Sequence, residues 1–144
     1  MPTRVVLVGC GNMGRAMLEG WLASGRLVPG EAAVVEPVDA LRERAAALGV
    51  PTHRDAASLA HDAAPRLIVF AVKPQVILDV APAYARFSDS SAYLSVAAGT
   101  PIAAFETILG AGAAIIRCMP NTPAAIGKGM MVTVANGNVS AGTA

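Results

Sequence analysis

Residues 4–25 read RVVLVGCGNMGRAMLEGWLASG, with three glycines set between an apolar run and a helical pattern. Val5-Val6-Leu7-Val8 is apolar on both faces, which predicts a strand buried on both sides. Residues 13–24 predict a helix with Met13, Met17, Trp21 and Leu22 on its core side, stopped by Gly25. Between the two, Gly9-Cys10-Gly11-Asn12-Met13-Gly14 fits the pattern G-x-G-x-x-G. In that pattern the first glycine permits the tight turn after the strand. The second lets backbone approach a pyrophosphate, and the third lets helix and sheet pack closely. The helix start near Asn12 adds free N–H groups and a positive dipole end. The pattern is weak alone. A strand before it, a helix after it and Glu36 at the end of the next strand make it a dinucleotide-binding signature.

The same alternation continues outward. "AAVVE", residues 32–36, predicts the second strand. A helix follows Pro37, with Val38, Leu41, Ala45 and Leu48 spaced three or four apart and Gly49 as its stop. Residues 50–53 predict a short edge strand, because Pro51 cannot sit in a central one. "DAASLAHDA" predicts a short helix with Asp55 as its N-cap. Residues 67–72 form the clearest buried strand, followed by a helix through Val76, Ile77 and Val80 that Pro82 kinks or breaks. "AYLSVAAG" predicts a strand, and Thr100-Pro101 a helix start. "AAIIRCMP" and "GMMVTVANG" predict two more strands, the last closing in an Asn-Gly turn. The expected fold is α/β: a doubly wound, mainly parallel sheet with helices on both faces.

Composition narrows the function. Hydrophobic residues make up 54% of the 144 and charged residues 15%, which requires a packed core. A net charge of +1 offers no basic stripe, so neither nucleic acid nor a membrane surface is an expected partner. No apolar run approaches the roughly 18 residues of a membrane-spanning helix. The N-terminal run enters the glycine loop directly, unlike a signal peptide, so a cytoplasmic location is expected. Two cysteines, Cys10 and Cys118, and two histidines, His53 and His61, have no metal-ligand spacing, and no metal is expected. Free thiols at strand ends are the expected state of the cysteines; a disulfide would run against the cytoplasmic reading.

Four further features bear on a nucleotide. Glu36 can accept hydrogen bonds from both hydroxyls of an adenosine ribose, whereas a 2′-phosphate would face its carboxylate; the sequence therefore leans to NAD without excluding NADP. Arg42 and Arg44 read as a solvated helix face, with a reach to such a phosphate as the alternative. "AVKPQ", residues 71–75, puts Lys73 at the carboxyl end of a strand, where open parallel sheets bind ligands. "RCMPNTPAAIGKG", residues 117–129, is a stiff proline-flanked loop suited either to positioning a ring or to crossing rigidly to the last strand. Cys10 reads as a small filler, with a redox-sensitive thiol as the alternative.

Taken together, "VGCGNMGRAMLEGWLASG", "AVKPQ", "SVAAGTPI" and "RCMPNTPAAIGKGM" resemble, in order and spacing, the pyrroline-5-carboxylate reductases. The chain resembles the N-terminal, Rossmann-like cofactor-binding domain of that family over essentially its whole length. Hydroxyacid dehydrogenases and F420-dependent NADP oxidoreductases share the first loop but not the combination with "MPNTPA".

The resemblance implies reduction of 1-pyrroline-5-carboxylate to proline with NAD(P)H, the last step of proline synthesis. It places Gly9, Gly11, Asn12, Met13 and Gly14 at the pyrophosphate, and Glu36 where the family chooses between NAD and NADP. Val72, Lys73 and Pro74 fall along the nicotinamide-side ribose, and Ala97, Ala98 and Gly99 beside the nicotinamide. Met119, Pro120 and Asn121 fall against it near the substrate. Where the family often has Asn, this chain has Asp55, which strengthens the lean to NADH. The resemblance further implies a homo-oligomer, and a C-terminal helical domain that pairs subunits and holds substrate. Residues 1–135 are accordingly expected to form the dinucleotide-binding domain, and residues 136–144 the start of a linker toward that helical domain. Such a chain alone is expected to bind cofactor and turn over little substrate. Two other readings are a related dehydrogenase or F420-dependent oxidoreductase, and a nucleotide-binding module without chemistry.

Overall fold

The chain is described as a computed structural model covering residues 4–25, 27–59, 65–87, 91–96, 102–110, 112–120 and 131–135. Among these, seven strands form one sheet in the order β3-β2-β1-β4-β5-β6-β7. The strands are β1 (Val5–Val8), β2 (Ala32–Val35), β3 (Thr52–His53), β4 (Leu67–Phe70), β5 (Ala92–Ser95), β6 (Ala114–Pro120) and β7 (Met131–Ala135). The first six run parallel, and β7 lies antiparallel on β6. The doubly wound, mainly parallel α/β fold expected from the alternation is present.

Period-two alternation sorts the side chains onto two faces. Val6, Val8, Ala33, Val35, Ile68, Phe70, Tyr93 and Ile115 point to one layer. Leu7, Val34 and Val69 point to the other. The second layer is closed by α1 (Asn12–Ala23) and α2 (Asp39–Ala46), through Met17, Leu18 and Ala45. Leu18, absent from the helix face read in the sequence, is fully buried there. The first layer is closed by α3 (Pro74–Val80) and α4 (Ile102–Leu109), through Ile77, Phe105 and Leu109.

Three local departures have physical reasons. β4 ends at Phe70 rather than Val72, because its neighbour β1 ends at Val8, where Gly9 turns away with φ +93°. Val38 stands outside the core at 51% exposure, because α2 starts only at Asp39 and the residue before it is extended. Helix α3 stops at Val80, since Pro82 has no N–H to continue it, and residues 81–87 form a 3-10 helix instead. The three-residue repeat of that helix places Ala81, Tyr84 and Phe87 together in the core.

The predicted helix from Asp55 is a single 3-10 turn, Ala56–Ser58; its remainder, residues 60–63, lies outside the described residues. So do the Thr100-Pro101 start, loop residues 121–130 and the Asn-Gly turn. No helix among the described residues is long and apolar enough to cross a membrane.

Candidate functional site

Strand β1 is the switch point of the sheet: the chain moves outward one way through β2 and β3, then returns to build β4 on its other edge. Ligands of open α/β sheets bind at the carboxyl ends of the strands at such a point. The glycine loop lies there, held by the Gly9 N–H donating to the Val35 carbonyl at 2.9 Å. Beside it the Ala71 N–H donates to the Val8 carbonyl at 2.8 Å, bringing residues 71–73 alongside the loop.

The three glycines answer different demands. At Gly9 the positive φ excludes an ordinary side chain, and a Cβ would stand 2.8 Å from Val72 Cγ1. At Gly14 a Cβ would stand 2.3 Å from the Gly9 carbonyl oxygen, so helix α1 can lie against the loop only without one. At Gly11 a Cβ would meet no atom of the described residues within 4 Å. The fold makes no demand for glycine at position 11. A ligand approaching the backbone does, and the cradle therefore fits a dinucleotide pyrophosphate. Gly11 is also the N-cap of α1 and supplies no side-chain acceptor for the first-turn N–H groups.

A cleft of about 610 Å³ opens from the loop. Val8, Gly9 and Gly11 border it, with Ala71, Val72 and Lys73 beside them. Val38, Leu41, Val76, Val80 and Tyr84 give it an apolar lining, with Glu36, Arg54, Asp55, Lys73 and Asp79 as its charged groups. An apolar cleft with few charges suits a flat heterocycle joined to a ribose.

Glu36 is buried, at 5% exposure, and both its carboxylate oxygens are engaged. Oε1 accepts the Cys10 N–H at 2.8 Å, and Oε2 accepts the Val38 N–H at 3.0 Å. One carboxylate thus ties the glycine loop to the turn after β2. Arg42 does not reach into the cleft. Its guanidinium donates to the Glu36 carbonyl at 3.0 Å and to the Pro37 carbonyl at 3.4 Å, and pairs with Asp39. Arg42 braces the turn.

Cys10 is fully buried, and burial, reinforced by the Glu36 charge, pushes its thiol above the ordinary range. Burial and the raised thiol favour the filler reading of Cys10, and the site uses its N–H. Burial likewise pushes the Tyr84 hydroxyl well up, with the Asp55 charge adding to it.

The structure brings Gly9, Gly11, Glu36, Asp55, Val72 and Lys73 around one cleft. Asn12 and Met13 open helix α1, the Met13 side chain packing on the α1/α2 core layer. Pro74 is the first residue of α3, capped by Lys73. Met119 and Pro120 end β6, while Ala97, Ala98, Gly99 and Asn121 lie outside the described residues. Sequence reasoning missed Arg54 and the apolar wall. Val38 and Val76 of that wall are exposed at 51% and 39%, large apolar residues that no core covers, which residue type and spacing alone did not reveal.

Such a glycine cradle at the switch point of a parallel sheet, with a buried carboxylate closing the second strand, defines the NAD(P)H-binding domain of an oxidoreductase. The chain belongs to the family described as NADP oxidoreductase, coenzyme F420-dependent, which matches residues 4–99. It is similar to the pyrroline-5-carboxylate reductase of Escherichia coli (strain K12), 35% identical over 145 residues covering 97% of this chain and 52% of that protein. The solved pyrroline-5-carboxylate reductase of Coxiella burnetii superposes with a TM-score of 0.83 at 27% identity, covering 99% of this chain and 53% of that one. The Plasmodium falciparum pyrroline carboxylate reductase, solved with NADP bound, shares the fold at TM-score 0.78 and 22% identity, covering 98% of this chain and 51% of that one. The chain spans about half the length of the curated relatives it matches.

Proposed function

We propose that this chain is the cofactor-binding part of a pyrroline-5-carboxylate reductase that prefers NADH. Gly11 carries the dinucleotide part of this reading, because it borders the cleft and no atom of the described residues stands where its Cβ would be. The substrate part is supported by the 35% identity to the reductase of E. coli and by the "MPNTPA" segment, residues 119–124, which begins in the last two residues of β6. When bound, the nicotinamide supplies a hydride to the imine carbon of the substrate. Glycine-loop backbone and the α1 start hold the pyrophosphate, while Glu36 and Asp55 accept from ribose hydroxyls. Val72, Lys73 and Pro74 border the nicotinamide-side ribose; Ala97, Ala98 and Gly99 flank the ring. Met119, Pro120 and Asn121 face it near the substrate. A protonated imine already draws electrons, so this chemistry asks for positioning more than for a strong protein acid.

Residues 1–135 form the dinucleotide-binding domain, and 136–144 begin the linker to a helical domain that pairs subunits into a homo-oligomer and completes the substrate site. The protein works in the cytoplasm. The chain alone binds NADH and turns over little substrate. A second reading, an F420-dependent oxidoreductase, is favoured by the family match, whose residues 4–99 stop before "MPNTPA". The test is NADH oxidation by the whole protein with 1-pyrroline-5-carboxylate, a hydroxyacid or oxidised F420 as acceptor. Turnover with the imine alone is expected; turnover with F420 alone would replace this reading by the second.

A further inference from the structure

Tyr84 is only 1% exposed, yet it lines the cleft. Its ring meets Phe70 edge-on at 5.5 Å and Phe87 at 6.4 Å, and its carbonyl accepts the Tyr93 hydroxyl. The ring is therefore fixed, but its own hydroxyl makes no hydrogen bond among the described residues. A buried tyrosine hydroxyl ordinarily finds a partner, and leaving it bare costs stability. Phenylalanine would fill the same core space without that cost. An acceptor stands in the same place. Arg86, two residues after Tyr84, donates to the Ala56 carbonyl at 3.1 Å while its guanidinium lies 4.5 Å from the Phe87 ring centre. That bond draws the segment beginning at Asp55 onto the helix that carries Tyr84, and both residues line one cleft. Burial, with the Asp55 charge added, keeps the Tyr84 hydroxyl protonated and so a donor.

We propose that the Tyr84 hydroxyl and the Asp55 carboxylate together read the 6-amino edge of the cofactor's adenine. The hydroxyl donates to the ring nitrogen beside the amino group, and the carboxylate accepts from the amino group itself. This deepens the dinucleotide reading above and rests on it: with the adenosine ribose at Glu36, the ring that Val76, Val80 and Tyr84 line is the base on that ribose. A carboxylate has room for several donors, so Asp55 takes the amino group besides a ribose hydroxyl. The apolar lining accepts any flat ring, whereas the donor–acceptor pair selects one. Hypoxanthine presents the same edge with the roles reversed, a carbonyl oxygen beside a ring N–H, and the bond to ribose keeps the ring from turning over to match. Donor then meets donor and acceptor meets acceptor.

The test measures dissociation constants by calorimetry for NADH and for reduced nicotinamide hypoxanthine dinucleotide, which differs from it only at that edge. The proteins are the 144-residue chain, Tyr84→Phe, Asp55→Ala and the double variant. The unaltered chain is expected to bind NADH about tenfold more tightly than the analogue, or better. In Tyr84→Phe, NADH affinity falls by about threefold to tenfold, the scale of one hydrogen bond, while the analogue loses nothing. Asp55→Ala weakens both ligands at the ribose, so its readout is the ratio, which also shrinks. In the double variant the two ligands bind alike. Denaturant midpoints without ligand separate binding from a purely structural role. Tyr84→Phe is expected at or above the parent, because it removes a buried hydroxyl that the fold does not use. A lower midpoint with the NADH preference intact assigns the hydroxyl to the fold and overturns the proposal. If the chain binds NADH and the analogue equally, or Tyr84→Phe keeps the full preference, the proposal is overturned and the dinucleotide reading stands. If no form binds either dinucleotide, the dinucleotide reading itself falls, and the proposal with it.

Discussion

The two faces of the sheet are packed by different means. Under α3 and α4 the layer is aromatic and centred on Phe70. Its ring stacks on Tyr93 at 5.9 Å and on Phe105 at 6.0 Å, and meets Tyr84 edge-on at 5.5 Å. Under α1 and α2 the fully buried residues are small or aliphatic, among them Cys10, Ala45, Leu18 and Val34. Small groups continue to the loop, where Gly14 lies against Gly9 and the Ala71 methyl. Large rings fill volume and stabilise. Small contacts let a helix approach the sheet, which brings the α1 start to the switch point. One face secures the fold, and the other aims it.

This contrast can be broken in four ways, taken from the largest effect on stability to the smallest. Phe70→Ala removes the ring that three others touch; it should cost about 3–5 kcal/mol, read from the denaturant midpoint. The fraction still folded should keep its NADH affinity. Gly14→Ala forces a Cβ onto the Gly9 carbonyl and should strike both properties, lowering stability by about 1–3 kcal/mol and also weakening NADH binding. An affinity left untouched would mean that the α1 approach does not serve the site.

The Cys10 thiol, raised from its ordinary 9.0, binds its proton more tightly folded than unfolded. Its contribution is present below the unfolded value and lost as pH rises through the folded one. Thermal melts should therefore fall more steeply above about pH 9 in the parent than in Cys10→Ala, and alkylating reagents should label Cys10 only on unfolding. Gly11→Ala should be the mildest for stability, within about 1 kcal/mol at an N-cap. Yet it should lower NADH affinity by about tenfold or more, because the cradle rather than the core loses room. A stable variant with full affinity would remove the central support for the dinucleotide site.

Much of this was legible in the chain itself, for reasons of range. The strands 5–8, 32–35 and 67–70 announce themselves by unbroken apolar runs, because a parallel strand covered on both faces has no polar side to show. The order of glycines at 9, 11 and 14 is likewise a local steric requirement, met within one turn. Leu18 escaped because one helix can bury more than one row of residues. Val38 was read as part of the helix because it keeps helical spacing, but α2 begins one residue later and leaves it in the cleft lining.

By itself, the sequence determined which segments become strands, where the chain turns from β1 into α1, and that a nucleotide loop sits there. These depend on side-chain period and on φ at single residues. Only the tertiary structure decided that Glu36 holds the Cys10 and Val38 N–H groups, that Arg42 is spent on bracing a turn, and that Arg54 lines the cleft. Strand order brings those groups together from distant parts of the chain. Their chemistry follows from who becomes whose neighbour, and residue type alone does not carry that.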